Sequence, residues 1–236
     1  MLDPTKTELV FFDAAGTLFN VRGSVGEIYS RFARQHGLEA DPALIHQGFL
    51  RAFGRQPPMA FPAGTPADQL HKLEYQWWSR LAREVFVAFD FPRFDAFFAE
   101  VFEFFRTAEA WRVFDDVVPA LEALRMRGLR LVVISNFDSR LEDLIRAFGL
   151  NQYFDAIHYS TRMGAAKPDP AIFRAALRVH GVGAHQAVHI GDSLRADVEG
   201  AIAAGIHAVL LDRNQQYGDQ DGVRKIMGLN ELLTFI

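Results

Sequence analysis

Cysteine is absent from the 236-residue chain, so disulfides, thiolate nucleophiles and cysteine-ligated metals are excluded, and any metal must sit on oxygen or imidazole. An excess of positive charge is missing too: 25 lysines and arginines against 29 aspartates and glutamates give a formal net charge of −4, with a pI of about 6.1. This balance offers no electrostatic footprint for nucleic acid or an anionic membrane and favours a small-molecule partner. No apolar run approaches membrane-spanning length, and the first residues, MLDPTKTELV, carry neither the basic segment nor the apolar stretch of an export signal. A soluble, unprocessed chain without membrane contact is expected, with the cytoplasm as default location. No internal repeat or low-complexity tract interrupts it. What the chain has in quantity is apolar side chain, half of its residues, including 22 phenylalanines. That is enough to bury a full core and carry a second lobe.

Four apolar, β-branched runs lack the alternation of a half-exposed strand: Val10 to Asp13, LRLVVISN ending at Asn136, AVHIGD ending at Asp192 and HAVLLD ending at Asp212. They suit strands buried on both faces. Helical patterns lie between them, each stopped by a glycine: Pro119 to Met126 by Gly128, Arg140 to Phe148 by Gly149, Pro170 to His180 by Gly181, and Arg195 to Ala204 by Gly205. From about Pro119 onward, strand and helix alternate. The expected fold class is therefore α/β, a doubly wound parallel sheet.

Residues 21–107 break that rhythm with helical patterns and no intervening strand. SVGEIYSRFARQHG opens on the capping box Ser24 and Glu27, sets Val25, Ile28 and Phe32 at helical spacing and ends at Gly37. After the loop GRQPPMAFPAGTP, two further helices are expected, Ala67 to Val87 and Pro92 to Phe105. The second is dense in phenylalanine, at 94, 97, 98, 102, 104 and 105. The core of a small bundle accounts for these rings more readily than an aromatic lid gripping a ligand. The expected organisation is an α/β core from residues 1–20 and 108–236, with a small helical cap inserted at 21–107.

A carboxylate at the end of an apolar strand must be solvated, paired or bound to a cation, because a bare charge in low dielectric is very costly. In VFFDAAGTLF, Asp13 stands at such an end, as do Ser135 with Asn136, and Asp192. Ligands of open parallel sheets gather outside these strand ends. Lys167 and Asp197 fall in adjacent loop or helix-start positions, so the set is three acids, two hydroxyls (Thr17 and Ser135) and one ammonium. Hard oxygen ligands suit Mg²⁺, which accepts substrate phosphate as a further ligand. A phosphoryl-transfer site on a small phosphorylated molecule is the economical inference. The eight histidines show no ligand spacing and are expected to be structural or surface residues.

DAAGT, ISN, AAKPDP and GDSLRAD, in this order and each at its place in a βα pattern, resemble the motifs of the haloacid dehalogenase-like hydrolase superfamily. The resemblance covers nearly the whole chain, and the helical insert after the first motif is similar to the small cap of that family. It implies that Asp13 is the nucleophile that forms an aspartyl phosphate. It further implies that Ser135, with Asn136, binds the phosphoryl group and that Lys167 neutralises its charge. Thr17 would orient Asp13 through its hydroxyl, and Gly16 would permit the tight turn. Asp13, Asp192, Asp197 and the main-chain carbonyl of Ala15 would form the Mg²⁺ site, Asp197 supporting it or pairing with Lys167.

Position 15 departs from the family pattern. Phosphatases of the family carry a second aspartate there, which protonates the leaving group and later activates water; this chain has alanine. The lost acid–base help amounts to roughly 10²–10⁴-fold, about 3 to 5 kcal/mol of barrier. Two relatives also lack that aspartate. Haloacid dehalogenases carry tyrosine and use no metal, which the acids at 192 and 197 oppose, since without a cation they would repel a carboxylate substrate. Phosphonoacetaldehyde hydrolases carry alanine and use a cap lysine as a Schiff base; Lys72 is the sole lysine in residues 21–107. A binding or interaction module that has lost catalysis is the alternative from outside enzymology.

Overall fold

The apolar run Leu9–Phe12 forms β1, and all four of its side chains are buried. Val10 and Phe12 enter one apolar cluster while Leu9 and Phe11 enter another on the opposite face of the sheet. This two-sided burial is why the run shows no alternation. In the computed structural model, which describes residues 7–218, 220 and 222–236, the elements follow in order. After β1 come β2 (Phe19–Val21), α1 (Val25–Gln35), α2 (Pro42–Arg55), α3 (Ala67–Val85), α4 (Phe94–Phe104), β3 (Trp111–Val113), α5 (Val117–Met126) and β4 (Arg130–Ser135). Then follow α6 (Arg140–Ala147), β5 (Ala156–Tyr159), α7 (Ser160–Met163), α8 (Pro170–His180), β6 (Ala187–Gly191), α9 (Gly200–Ala203), β7 (His207–Leu211) and β8 (Arg224–Ile226). The N-terminal segment read above for an export signal lies largely outside the described residues.

Six strands form one sheet in the order β5-β4-β1-β6-β7-β8, with every pairing parallel. The fold is the expected doubly wound α/β architecture. From β1 the chain builds outward first through β4 and β5, then on the other side through β6 and beyond, so β1 lies at the topological switch. Phe12 is in register with both Val133 and Ile190, which brings the carboxyl ends of β1, β4 and β6 side by side.

Helices α1–α4 follow one another without a strand, and a third apolar cluster, with buried members from Ile28 to Phe102, lies among them. Ser24 caps α1 with the expected box to Glu27. Where this segment leaves and rejoins the sheet domain, β2 and β3 pair antiparallel, Phe19 opposite Val113 and Val21 opposite Trp111. The sequence reading did not anticipate this pair. It also assigned no helix to Pro42–Arg55, where Asp41 caps Ala43 and Pro42 occupies the first turn. Two glycines and only two buried residues, Ile45 and Ala52, dilute the apolar period of α2. The expected helix from Arg195 instead begins as a π-helical turn, Leu194–Glu199, and only then continues as α9. No helix among the described residues is long and apolar enough to cross a membrane.

Candidate active site

The chain beyond β1 turns sharply. Asp13 still donates its N–H to Ile190 (2.9 Å), and the carbonyl of Ala14 then accepts from Thr17, Leu18 and Phe19. Gly16 lies at φ +88°, and a Cβ there would run into the Asp192 carboxylate. Position 16 therefore requires glycine on two counts, backbone conformation and close approach.

Asp13 is buried, and its Oδ1 accepts from Ser135 Oγ (2.9 Å) and from Lys167 Nζ (2.6 Å). Its Oδ2 has no protein partner among the described residues. Lys167 also donates to Asp197 Oδ1 at 2.5 Å. Asp197 accepts in addition from His189 Nε2 (2.8 Å) and, through Oδ2, from the main-chain N–H of Ser193 (3.0 Å). A Cβ at position 191 would strike Asp197, so the glycine of GDSLRAD admits this buried carboxylate beside β6. The π-helical turn carries Asp197 back over the strand end, where the Ser193 N–H meets it.

Two of the three carboxylates, Asp13 and Asp197, thus share the Lys167 ammonium. Burial opposes ionisation of Asp197, but Lys167 and His189 outweigh it and hold the carboxyl below the ordinary range. Desolvation acts against the charge on Lys167 as well, yet Asp13 and Asp197 keep it protonated. Burial, with the charge of Asp197, pushes Asp13 up against the pull of Lys167 and Ser135. Asp192 has no cation at ion-pair distance among the described residues. Burial first, and then the charges of Asp13 and Asp197, push it up to about 7. Carboxylate oxygens of Asp13, Asp192 and Asp197 lie within 4.8 Å of one another. The cluster sets three carboxyls against one ammonium, and its donors are all hard oxygens, the set that suits Mg²⁺.

A sequence profile of the haloacid dehalogenase-like hydrolases matches residues 7–205. The chain belongs to this hydrolase family. Human haloacid dehalogenase-like hydrolase domain-containing protein 3 is 35% identical over 209 residues, covering 87% of this chain and 82% of that one. The crystal structure of a HAD phosphatase from Thermococcus onnurineus superposes with a TM-score of 0.69 at 26% identity over 97% of both chains. A dehalogenase structure superposes with a TM-score of 0.74 at 18% identity, over 100% of this chain and 99% of that one; at that identity it speaks for the fold alone.

Two of the expected site residues make contacts other than those expected. Thr17 makes no hydrogen bond to Asp13: its Oγ1 is buried without a partner among the described residues. The Thr17 N–H is tied to Ala14 and its carbonyl to Arg213 (2.9 Å), which fixes the backbone with the hydroxyl away from any protein acceptor. The Asn136 side chain is committed elsewhere, donating to the Lys167 carbonyl (2.8 Å) and accepting the Lys167 N–H (2.7 Å). These two bonds hold the lysine loop beside the site. Sequence reasoning missed His189, which was grouped with the structural histidines. It is fully buried, burial pushes its imidazole below the ordinary range, and it hydrogen-bonds Asp197. Its position inside an apolar strand two residues before GD was the available signal.

The helical segment is anchored next to the site. Glu74 of α3, fully buried, accepts from the Ser139 N–H (3.0 Å), Ser139 Oγ (2.5 Å) and Thr161 Oγ1 (2.5 Å). Trp78, one turn on, donates to Asp138 Oδ2 (2.6 Å), which is itself paired with Arg140 (2.6 Å). Between the helices and the sheet lies a cavity of about 480 Å³ that reaches Ala15 and Asn136. Phe98, Phe102 and Phe105 line it while Phe94 and Phe97 do not. The phenylalanine-rich helix therefore serves the bundle core and a cavity wall at once. Lys72 is exposed and is not among the residues that line the cavity, which gives the Schiff-base alternative no support.

Proposed function

We propose that the chain is a Mg²⁺-dependent phosphohydrolase for a small phosphorylated molecule, working through an aspartyl phosphate on Asp13 and lacking the acid–base group at position 15. The observation that carries this reading is the Asp13 carboxylate itself. One oxygen is pinned by Ser135 and Lys167, and the other is without a protein partner at the open end of the strand. In this reading residues 21–107 form a cap over a core of residues 1–20 and 108–236.

Asp13, Asp192 and the carbonyl of Ala15, which accepts no hydrogen bond among the described residues, would hold the cation. Asp197 would stand behind them, its oxygens already engaged. Bound there, Mg²⁺ would neutralise phosphoryl charge and help fix the phosphate in line with the nucleophile. The Oδ2 of Asp13 attacks phosphorus, the ester P–O bond breaks, and its electron pair leaves with the alkoxide or phenolate. Lys167 and Ser135 hold Asp13 ionised and in place, and they stabilise the charge that spreads over the phosphoryl oxygens. His189, through Asp197, keeps Lys167 aimed at Asp13. Water then cleaves the aspartyl phosphate and restores the carboxylate. Hydrolysis of a carbon–halogen bond is the weaker reading, because three acids facing one lysine repel a carboxylate substrate.

Mg²⁺ with beryllium fluoride, an aspartyl-phosphate mimic, tests the reading directly. A rise in Tm that needs both components and is lost in Asp13→Asn is expected. A panel of phosphorylated metabolites assayed with and without Mg²⁺ supplies the activity arm. No stabilisation and no turnover would instead favour a binding module that has lost catalysis.

A further inference from the structure

The cavity beside Ala15 has a lining that the phosphoryl chemistry does not require. At about 480 Å³ it falls in the roughly 300–1,000 Å³ range of small-molecule pockets. Its walls are rings in mutual contact: Tyr29 against Phe49 at 6.0 Å and Phe105 at 6.2 Å, Phe53 against Trp78 at 6.2 Å, and Phe105 against Trp111 at 5.7 Å between centroids. Among the described residues no lysine, aspartate or glutamate lines it, and its polar side chains are Asn20, Ser24, Tyr29, His46, Asn136 and Arg140. The one guanidinium, that of Arg140, is neutralised by Asp138 and stacked 4.0 Å over Phe102. At α2 the apolar lining continues out to solvent through Leu50 and Phe53, which are 57% and 47% exposed, and this marks the mouth. A sugar or amino-acid phosphate placed here would lose water from its hydroxyls or charges with few partners to replace it.

The second observation is chemical. Ala15, two residues after Asp13, is part of the cavity wall, so a leaving group in the cavity departs past a methyl group that can donate no proton. It must be stable as an anion, as an aromatic hydroxyl is and an alkyl alcohol is not. We infer that the substrate is the phosphate monoester of an apolar, ring-bearing phenol, its rings in the cavity and its phosphoryl group at Asp13. The inference rests on the phosphohydrolase reading above. Asp13 Oδ2 forms the new P–O bond, the aryl P–O bond breaks with its electron pair kept by the phenolate, and water then releases phosphate from Asp13. The proton from that water balances the phenolate.

The test measures kcat/KM with Mg²⁺ for acetyl phosphate, phenyl phosphate and 1-naphthyl phosphate, the two aryl esters having phenols of similar acidity. A second ring in an apolar pocket is expected to lower KM by about tenfold or more relative to phenyl. Val25→Trp, which fills the cavity beside α1, and Leu50→Asp, a charge at the exposed mouth that leaves the core untouched, should each reduce the naphthyl-to-acetyl ratio of kcat/KM about tenfold. Asp13-dependent turnover of acetyl phosphate with equal KM for the two aryl esters, and with variants that leave the ratio unmoved, would overturn the aryl assignment and leave the phosphohydrolase reading standing. No turnover of any of the three would overturn both.

Discussion

Replacing Ala15 by aspartate restores the group that the site lacks, and the structure sets what should follow. Ala15 is half-buried, packs against the core and lines the cavity with Asn20 and Trp111, so the added carboxyl group starts from the cavity wall. The apolar lining, and the charges of Asp13 and Asp192, would raise the pKa of the new carboxyl, toward the value a general acid needs at neutral pH. Esters of alkyl alcohols, whose anions are poor leaving groups, should gain about 10²-fold in kcat, the low end of the general-acid range, or about 2.7 kcal/mol of barrier. Aryl and acyl phosphates, which depart without a proton, should gain less than about tenfold. The assay is kcat across a leaving-group series with saturating Mg²⁺, plotted against leaving-group pKa for wild type and Ala15→Asp. The slope should be steep in the wild type and flatter in the variant. Parallel lines, in a variant with unchanged circular dichroism and Mg²⁺ binding, would refute the account of Ala15.

Asp13→Asn should lower turnover by more than about 10³-fold, because an amide cannot act as the nucleophile. The fold should persist, and thermal unfolding beside the activity assay checks both. Asp192→Asn should cost about 10²-fold or more in Mg²⁺-dependent activity, a ligand mattering at least as much as the groups that orient ligands. The metal-free variant should nonetheless melt above the metal-free wild type near pH 8. A carboxyl raised from 3.8 to about 7 contributes stability at low pH that is lost as pH rises through that window. Scanning Tm from pH 5 to 8 with chelator reads the difference. Away from the site, His158 meets His180 at 3.0 Å, and burial, then the charge of its partner, hold it down from 6.5 to about 4. Its folded pKa is depressed, so stability present above 6.5 is lost as pH falls toward 4. Allowing for its partial exposure, the loss is about 1–2 kcal/mol. Denaturant titrations of wild type and His158→Gln at pH 7 and 4.5 should show a loss larger by about that amount in the wild type.

Buried strands were legible because both faces of β1, β4 and β6 pack on apolar clusters, which leaves runs such as LVFF and RLVVIS without polar interruption. Glycine-terminated helices such as α8 were legible because Asp169, Pro170 and Gly181 encode its two ends locally. Helix α2 was not, because its burial pattern depends on where α1 and α3 lie rather than on its own period. Strands β2 and β3 escaped notice for a related reason: three residues each, they are strands only because Phe19 and Val113 meet across 94 positions of chain.

The sequence by itself determined which chemistry is available: carboxylates at strand ends, Lys167 in the AAKPDP loop, no thiol, and alanine where an acid is expected. These are facts of residue type and spacing, and βα order alone carries them to one edge of a sheet. Only the tertiary structure decided how those groups divide the work. Asn136 turned to the Lys167 loop, Thr17 was left without a partner, and buried His189 took hold of Asp197. Each outcome depends on distances between residues far apart in the chain, which local pattern does not encode. The aromatic cavity is tertiary in the same sense. Its walls come from α1, α2, α3, α4 and β3 together, and a ring's place in a core or on a cavity wall depends on which neighbours the fold leaves beside it.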